Sequence, residues 1–584
     1  MTPRVSRPQV SMCAVVVLAM SACGEEAFSP APSGTTVAQF TPRAESRGAA
    51  LWGASVTTLP DGQVAVARTD SDEVVVVDAV SGEVRRRASF EKGSRPTRLV
   101  ATGPDAFAVV LRGSGEVALV PPLGRATRLA ACAEPRGLAF DDTNERLWVA
   151  CADGALVSVQ GGKTHAVQVG EELRDVFLVK GRLWVTAFRT AELLEVDTEG
   201  QVLTRLTPSP QVVARTDEKG DTTTLGFTPR IALRAVVEDT RVVMVHQEHL
   251  DDDVTKLTVP PGSTPPPVTP PYYGLGTGCG TSVVSSALTG FDLEKKEVTF
   301  TAPIAGSVVL DVAFAGGVIA LTQTGSGAVT WTTWDGASNS ACLGTFSTLR
   351  TPTPVGVGLS DTGGLLVLDH DGTLLMPGHG VVALTDVPEP LDEPRAFFHR
   401  DSPSGVACAS CHVEGYDDGH TWNFEGKVVR TQTLAGGLSA TAPYHWKGEL
   451  PTISAVLHST FERRMGGTLS PSLAPQAVES WLDTLPARAG KRGDIVAGQA
   501  IFQQAGCGSC HAGDRLTTNA TVDVGTGGAF QVPSLRGLKA RGPWMHDGCA
   551  KTLAQRFDEK CGGARHGAVA AGDVPALVKY LESL

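Results

Sequence analysis

Between about residue 50 and residue 387 an apolar, β-branched strand runs into a tight turn roughly every 40 residues. The pattern is clearest at 73–84 (EVVVVDAVSGEV), 115–124 (GEVALVPPLG), 154–163 (GALVSVQGGK) and 191–202 (AELLEVDTEGQV), and a further strand pair precedes the later units, as at 136–153 and 174–190. A four-stranded sheet with two apolar faces cannot stand alone, and radial packing of about seven such sheets covers both faces and protects most edges. Units at 51–90, 96–131, 135–170, 173–207, 230–303, 306–345 and 353–385 predict a seven-bladed β-propeller over 49–387. The fifth unit is oversized by an insertion at 251–286 that contains PPGSTPPPVTPPYYG and reads as an exposed loop. A pair of β-sandwiches is the alternative architecture.

The blade strands resemble those of YVTN-type and WD-like propellers in pattern. Composition agrees with a turn-rich β protein: of 584 residues 65 are Gly and 37 Pro, with 6% aromatic and 19% charged, which excludes a coiled coil. A net charge of −12 with no basic run excludes nucleic-acid binding. His246, His249, Asp251, Asp252 and Asp253 gather at the mouth of the insertion, but their spacing fits no metal template and they read as a solvated surface cluster.

The first 23 residues carry basic, apolar and small-residue zones in the order of an export signal: Arg4 and Arg7, then Val10 to Met20, then Ser21 and Ala22 before Cys23. The apolar run is too short to span a membrane. Met20-Ser21-Ala22-Cys23 resembles the lipobox of bacterial lipoproteins, with Met20 where leucine is usual. That resemblance implies a lipid on Cys23 and, with Gly24 following, a place in the periplasm or on the outer membrane or cell surface. Membrane contact is then through the lipid alone, and residues 24–48, rich in Ser, Thr, Ala and Pro, form a flexible linker.

Twelve cysteines are present. Outside the signal and the two motifs below, six remain, an even number suited to disulfides in an oxidising compartment. Sequence proximity suggests Cys132–Cys151 and Cys549–Cys561, which leaves Cys279–Cys342; the connectivity is open at this point.

After Pro394 the β runs thin out and His, Trp and amphipathic stretches become frequent, as at 473–486 and at 572–584, where Leu577, Tyr580 and Leu581 share a helical face. The expected fold is therefore multidomain: an all-β propeller followed by all-α tandem domains at 388–490 and 491–584. The proline-rich break at 388–394 further suggests that the two parts fold independently.

Both C-terminal units carry a C-x-x-C-H: Cys408-Ala409-Ser410-Cys411-His412 and Cys507-Gly508-Ser509-Cys510-His511. This spacing lets two thiols add to the vinyl groups of one haem while the adjoining histidine reaches the iron, so two covalently bound haem c groups are expected. A zinc site wants paired C-x-x-C units closing one tetrahedron, and a redox dithiol wants a βαβ context. The two units are also an internal repeat. The 395–412 and 498–511 segments each place a phenylalanine-bearing helix before the cysteines, and 433–448 parallels 534–548 so that Pro443, Trp446 and Gly448 match Pro543, His546 and Gly548.

With these residues the C-terminal third, about 394–584, resembles the bacterial di-haem cytochrome c peroxidase superfamily. That family's Trp-Asp-Gly and Phe-His-Asp-Gly correspond to Trp446-Lys447-Gly448 and Met545-His546-Asp547-Gly548. The resemblance implies that Trp446 and His546 lie between the haems as an electron bridge. It also departs from the family: Lys560 stands where a methionine ligand is usual, and Val456, Arg464 and Met465 fall near the positions of the peroxide-cleaving glutamine and glutamate, with Glu462 and His458 out of register. Met465 and His566, at pseudo-equivalent positions, are the first choices for sixth ligands, with Met545, His445 and His420 in reserve; His165, His370, His379 and His399 read as structural. The expected function is haem-based electron transfer in the cell envelope with a small cytochrome or cupredoxin-like partner. The rivals are a peroxidase-like enzyme reducing hydrogen peroxide, and a propeller that recognises a ligand or protein while the haems sense redox state.

Overall fold

Runs such as Val74–Val77 and Val64–Ala67 bury every side chain completely, because each sheet is covered on both faces by its neighbours. The computed structural model describes residues 55–216, 222–257, 279–280, 282–343, 347–360, 363–491 and 493–584. The leader, Cys23, the 24–48 linker and the PPGSTPPPVTPPYYG loop lie outside them. Residues 46–584 form one compact unit.

Seven antiparallel sheets follow in chain order, at 56–89, 96–130, 135–168, 173–206, 211–304, 312–350 and 354–383. Six are four-stranded meanders, and the fold is a seven-bladed β-propeller as the repeat spacing predicts. The ring closes by packing the innermost strand of the last blade, Pro354–Leu359, on that of the first, where Thr58 Oγ1 donates to the Leu359 carbonyl at 2.9 Å. The two disulfides that proximity suggests, and the third pair it leaves over, are all present. Cys132–Cys151 staples blade two to blade three, Cys279–Cys342 staples blade five to blade six, and Cys549–Cys561 closes a loop of the C-terminal region.

Blade five departs from the expected 230–303. It starts at Gln211 and has five strands, the extra one pairing with the outer half of a 17-residue strand, Thr222–Glu238. Its neighbour, Arg241–Leu250, is ten residues long, so the blade reaches past the others toward the C-terminal region. His246 and His249 belong to this strand and are fully buried, which corrects their reading as a solvated surface cluster.

The C-terminal region is not the all-α pair that its amphipathic stretches suggest. Four helices of seven to ten residues, Glu393–His399, Pro475–Asp483, Val496–Gln504 and Val574–Ser583, sit among 3-10 turns, irregular backbone and two small hairpins. Glycine-rich stretches such as 435–437 and 525–528 cannot propagate a helix. The internal repeat nevertheless holds in three dimensions. In each half the helix before the cysteines packs on the helix that ends the half, with Phe398 against Trp481 at 5.1 Å and Phe502 against Tyr580 at 5.3 Å between ring centroids. Tyr444 and Leu450 form a two-residue bridge that Trp544 and Ala550 reproduce.

Candidate functional site

Each C-x-x-C-H lies on a single short turn, Cys408–Cys411 in the first half and Cys507–Ser509 in the second. A turn brings residues three apart to one face, so both thiols of a motif project together. The four cysteines are half-buried and unpaired, whereas the other six described cysteines are all disulfide-bonded. Burial pushes the Cys408 thiol up to about 12 and Cys411 well above its usual range. A catalytic dithiol needs the opposite, a stabilised thiolate.

The two histidines are held alike. His412 Nδ1 donates to the Tyr416 carbonyl at 3.3 Å and His511 Nδ1 to the Leu516 carbonyl at 3.1 Å. That fixes the tautomer and leaves each Nε2 with its lone pair free for a metal. The residues present therefore fit two haems: paired thiols for attachment, and an oriented imidazole beside each pair.

In the second half His566 faces His511 with ring centroids 6.4 Å apart and planes 36° from parallel. A metal–imidazole bond of about 2.0–2.1 Å puts two imidazoles on opposite sides of one metal at roughly this centroid spacing. His566 Nδ1 is buried without a hydrogen-bond partner. Burial first, then the neighbouring Arg556 guanidinium and His511, pulls its pKa down to about 3, so the ring is neutral.

In the first half Met465 is buried in the apolar cluster that includes Trp422, Phe461 and Cys411. His445 is half-buried with Nδ1 3.1 Å from Glu449 Oε1. His420 turns away, donating from Nε2 to the Leu250 carbonyl of blade five at 3.2 Å and packing edge-on against Trp422. Met545 occupies the position in the second half that His445 holds in the first, both with left-handed φ, 72° and 67°.

Trp446 and His546 come together at the junction of the halves, ring centroids 6.3 Å apart and edge to face. His546 also stacks on Phe530 at 3.8 Å. Glu462 and His458, the two out-of-register residues, pair with each other at 2.7 Å, with His458 exposed.

What the sequence did not signal is how the first motif is fixed to the propeller. Gln247 Nε2 of blade five donates to the Ser410 carbonyl at 2.9 Å, and the Ser410 hydroxyl meets that of Ser307 at 2.6 Å. Two residues past His412, the Glu414 carboxylate enters the propeller axis and is bound by Arg112, Arg136 and Arg174, one from each of blades two, three and four. The arginines hold Glu414 well below the usual carboxylate range despite its burial. Around it, Arg189 bridges Glu172 at 2.9 Å to Asp417 at 3.2 Å, and Arg488 reaches Glu172 at 2.8 Å. A usable signal was the arginine that opens the innermost strands of blades three and four, in Pro135-Arg136-Gly137 and Leu173-Arg174-Asp175.

Among solved structures the chain is similar to one of hydrazine synthase from Kuenenia stuttgartiensis, at 13% identity and TM-score 0.41, over 56% of this chain and 96% of that one. It is also similar to virginiamycin B lyase from Staphylococcus aureus, at 8% identity and TM-score 0.36, over 55% and 92% of the two chains. A structure of Kuenenia stuttgartiensis hydrazine synthase pressurized with xenon matches at 22% identity and TM-score 0.30, over 32% of this chain and 83% of that one. No family model and no curated protein matches the chain.

Proposed function

We propose that this chain is an exported di-haem c-type cytochrome that passes single electrons between partner proteins in the cell envelope. One observation carries the reading: in both C-x-x-C-H turns the two thiols stay unpaired in a chain whose other described cysteines pair, and the histidine is fixed through Nδ1 to a carbonyl. Haem, when bound, supplies a one-electron iron centre whose potential is set by its axial ligands and surroundings. The repeated helix pairing of the two halves supports a tandem arrangement, in which His412 and His511 would hold the two irons and Met465 and His566 would be the candidates for a second ligand to each. Trp446 and His546 place aromatic rings at the junction of the halves. The pairing of Glu462 with His458 at the surface leaves it committed away from any proton transfer to peroxide, which favours transfer over the peroxidase alternative.

In this reading Cys23 carries the lipid, the propeller is the rigid base to which the first motif is fixed, and a small cytochrome or cupredoxin-like protein is the partner. The test is a pyridine haemochrome assay on chain matured in a c-type-competent host. Two haems per chain that resist acid–acetone extraction are expected. Extractable colour, or none, overturns the proposal, and Cys408→Ala with Cys411→Ala should remove one haem only.

A further inference from the structure

Each motif histidine is followed, two positions on, by a residue in the left-handed region, but the two halves put different residues there. After His511 it is Gly513, with φ 68°; after His412 it is Glu414, with φ 56°. Glycine adopts this region freely, whereas a residue with a side chain does so at a cost. Gly513 is exposed and faces open space, so the second half carries the residue that its backbone asks for. In the first half the same position carries a glutamate whose side chain is 7% exposed. The cost of that conformation is offset by what the carboxylate binds.

Glu414 sits in the middle of a closed turn. The Gly415 amide donates to the His412 carbonyl at 2.9 Å and the Tyr416 amide to the Val413 carbonyl at 3.1 Å, and the carbonyl that ends the turn, that of Tyr416, accepts from His412 Nδ1. Arg112 grips the Glu414 carboxylate as a fork, Nη1 to Oε1 at 3.0 Å and Nη2 to Oε2 at 2.5 Å, with Arg136 at 3.4 Å and Arg174 beside it. Beyond the turn, the Tyr416 ring lies 4.3 Å from the Arg488 guanidinium, itself paired with Glu172 of the propeller, and Asp417 pairs with Arg189 of blade four at 3.2 Å. The Tyr416 carbonyl is therefore tied to the propeller on both of its sides. In the second half Asp514 is exposed at the matching turn, and Arg515 donates to the Gly436 carbonyl of the first half rather than to a blade.

We propose that Glu414 is a positioning residue for His412: held by the blade arginines, it fixes the turn that presents the Tyr416 carbonyl to Nδ1, so that the propeller sets the potential of the first haem and not that of the second. The hydrogen bond at Nδ1 governs how strong a donor an imidazole is toward a metal, and second-shell hydrogen bonds of this kind are one of the protein's levers on a haem potential. The proposal rests on the haem reading and assigns the propeller a role in it.

The test uses the full chain with Cys507→Ala and Cys510→Ala, in which the first haem titrates alone, and the full chain with Cys408→Ala and Cys411→Ala, in which the second does. Each receives Glu414→Gly, which restores the residue of the second half and removes the grip, or Arg112→Lys, which keeps the charge and loses the fork. The haemochrome assay reads haem content, optical redox titration the potential, electron paramagnetic resonance the g values, and thermal melting the fold. Both substitutions should raise the first potential and shift its g values, because a loosened Nδ1 bond makes the imidazole a weaker donor, and both should leave the second haem unmoved. A rise in Glu414→Gly without one in Arg112→Lys reports the lost charge alone and overturns the positioning role, as does an equal shift in the second haem. First-haem potentials and g values that hold in both variants while the melting temperature falls overturn this proposal and leave the haem reading standing. A chain without covalent haem removes both. Arg112→Lys keeps a cation in place, so it reads the site even where Glu414→Gly does not fold.

Discussion

Trp446 and His546 face each other edge to face at 6.3 Å, and each is anchored by the half of the C-terminal region to which it does not belong. The Gln531 amide donates to the Trp446 carbonyl at 2.7 Å, and the Arg430 amide donates to the His546 carbonyl at 2.6 Å. Gln531 and Arg430 end matching hairpins, so the exchange is reciprocal and gives the halves an approximate two-fold relation. The indole adds a further tie, donating from Nε1 to the Arg430 carbonyl at 2.7 Å.

That reciprocity predicts different consequences for the two rings. Trp446→Phe removes the Nε1 bond to a buried carbonyl and costs about 1–3 kcal/mol of stability, while keeping an aromatic ring at the junction. His546→Ala removes the ring that fills the space between Trp446 and Phe530, so electron exchange between the halves should slow more in this variant than in Trp446→Phe. Flash-photolysis rates of inter-haem transfer on both variants check the order.

Glu414 ties the first motif to three blades at once. Glu414→Gln leaves Arg112, Arg136 and Arg174 buried with one carboxylate fewer, a loss of about 3–5 kcal/mol by analogy with broken buried ion pairs. Because its pKa is depressed in the folded chain, its contribution is fully present above the unfolded value near 4.3 and is lost as pH falls below it. Thermal melts between pH 7 and pH 3 should show the variant losing its disadvantage at the acid end. The same contacts predict that a chain starting near residue 390 does not fold alone, since Glu414, Asp417 and Arg488 would lose the propeller's counter-charges.

Glu248 titrates in the opposite sense. It is 2% exposed, neither carboxylate oxygen has a hydrogen-bond partner, and burial, with Asp251 adding, pushes its pKa up to about 9. A raised acid gives its stability below the unfolded value near 4.3 and loses it as pH climbs toward the folded value. Asp401 and Asp418, each pushed up to about 7 by burial, act in the same direction. Glu248→Gln should therefore stabilise the protein at pH 7 by about 2–3 kcal/mol, with the gain vanishing near pH 4. His246, 3.6 Å away and lowered to about 4, begins to protonate only at the acid end of that window. Melting temperatures of both chains from pH 4 to pH 9 decide it.

The propeller was legible because its physics repeats: each blade must bury two faces, so the 40-residue alternation of apolar strand and turn is imposed seven times, and even Cys132 and Cys151 announce their pairing by proximity. The C-terminal region was legible at its motifs and at its four longest helices, where amphipathic periodicity runs for two turns or more. It was misread between them, where Gly436, Gly437 and their like leave no period to read and where the backbone follows contacts with the other half. The fixation of the first motif was hidden for another reason. Glu414 and its three arginines are some 240 to 300 residues apart in sequence, and each looks like an ordinary surface charge until the ring of blades turns them toward one axis.

His566 is the residue on which the proposed second haem site turns. Its ring lies 6.4 Å from that of His511, in the spacing of two imidazoles across one metal, and it is neutral and without a partner at Nδ1. Its position is set from two sides. The Cys549–Cys561 disulfide ties down the segment just before it, and Arg565 pairs with Asp523 of the second-half hairpin at 3.5 Å. His566→Ala should turn one haem from low spin to high spin in electron paramagnetic resonance while leaving two haems attached, and added imidazole should restore the low-spin signal. Because burial keeps the ring neutral down to about pH 3, the low-spin state of the unaltered chain should persist into acid well below the usual histidine range near 6.5. A methionine-type charge-transfer band, expected from the Met465 side of the first haem, should be untouched by the substitution. If that band disappears instead and the spin state of the other haem holds, His566 serves the fold and Met545 takes its place as the ligand.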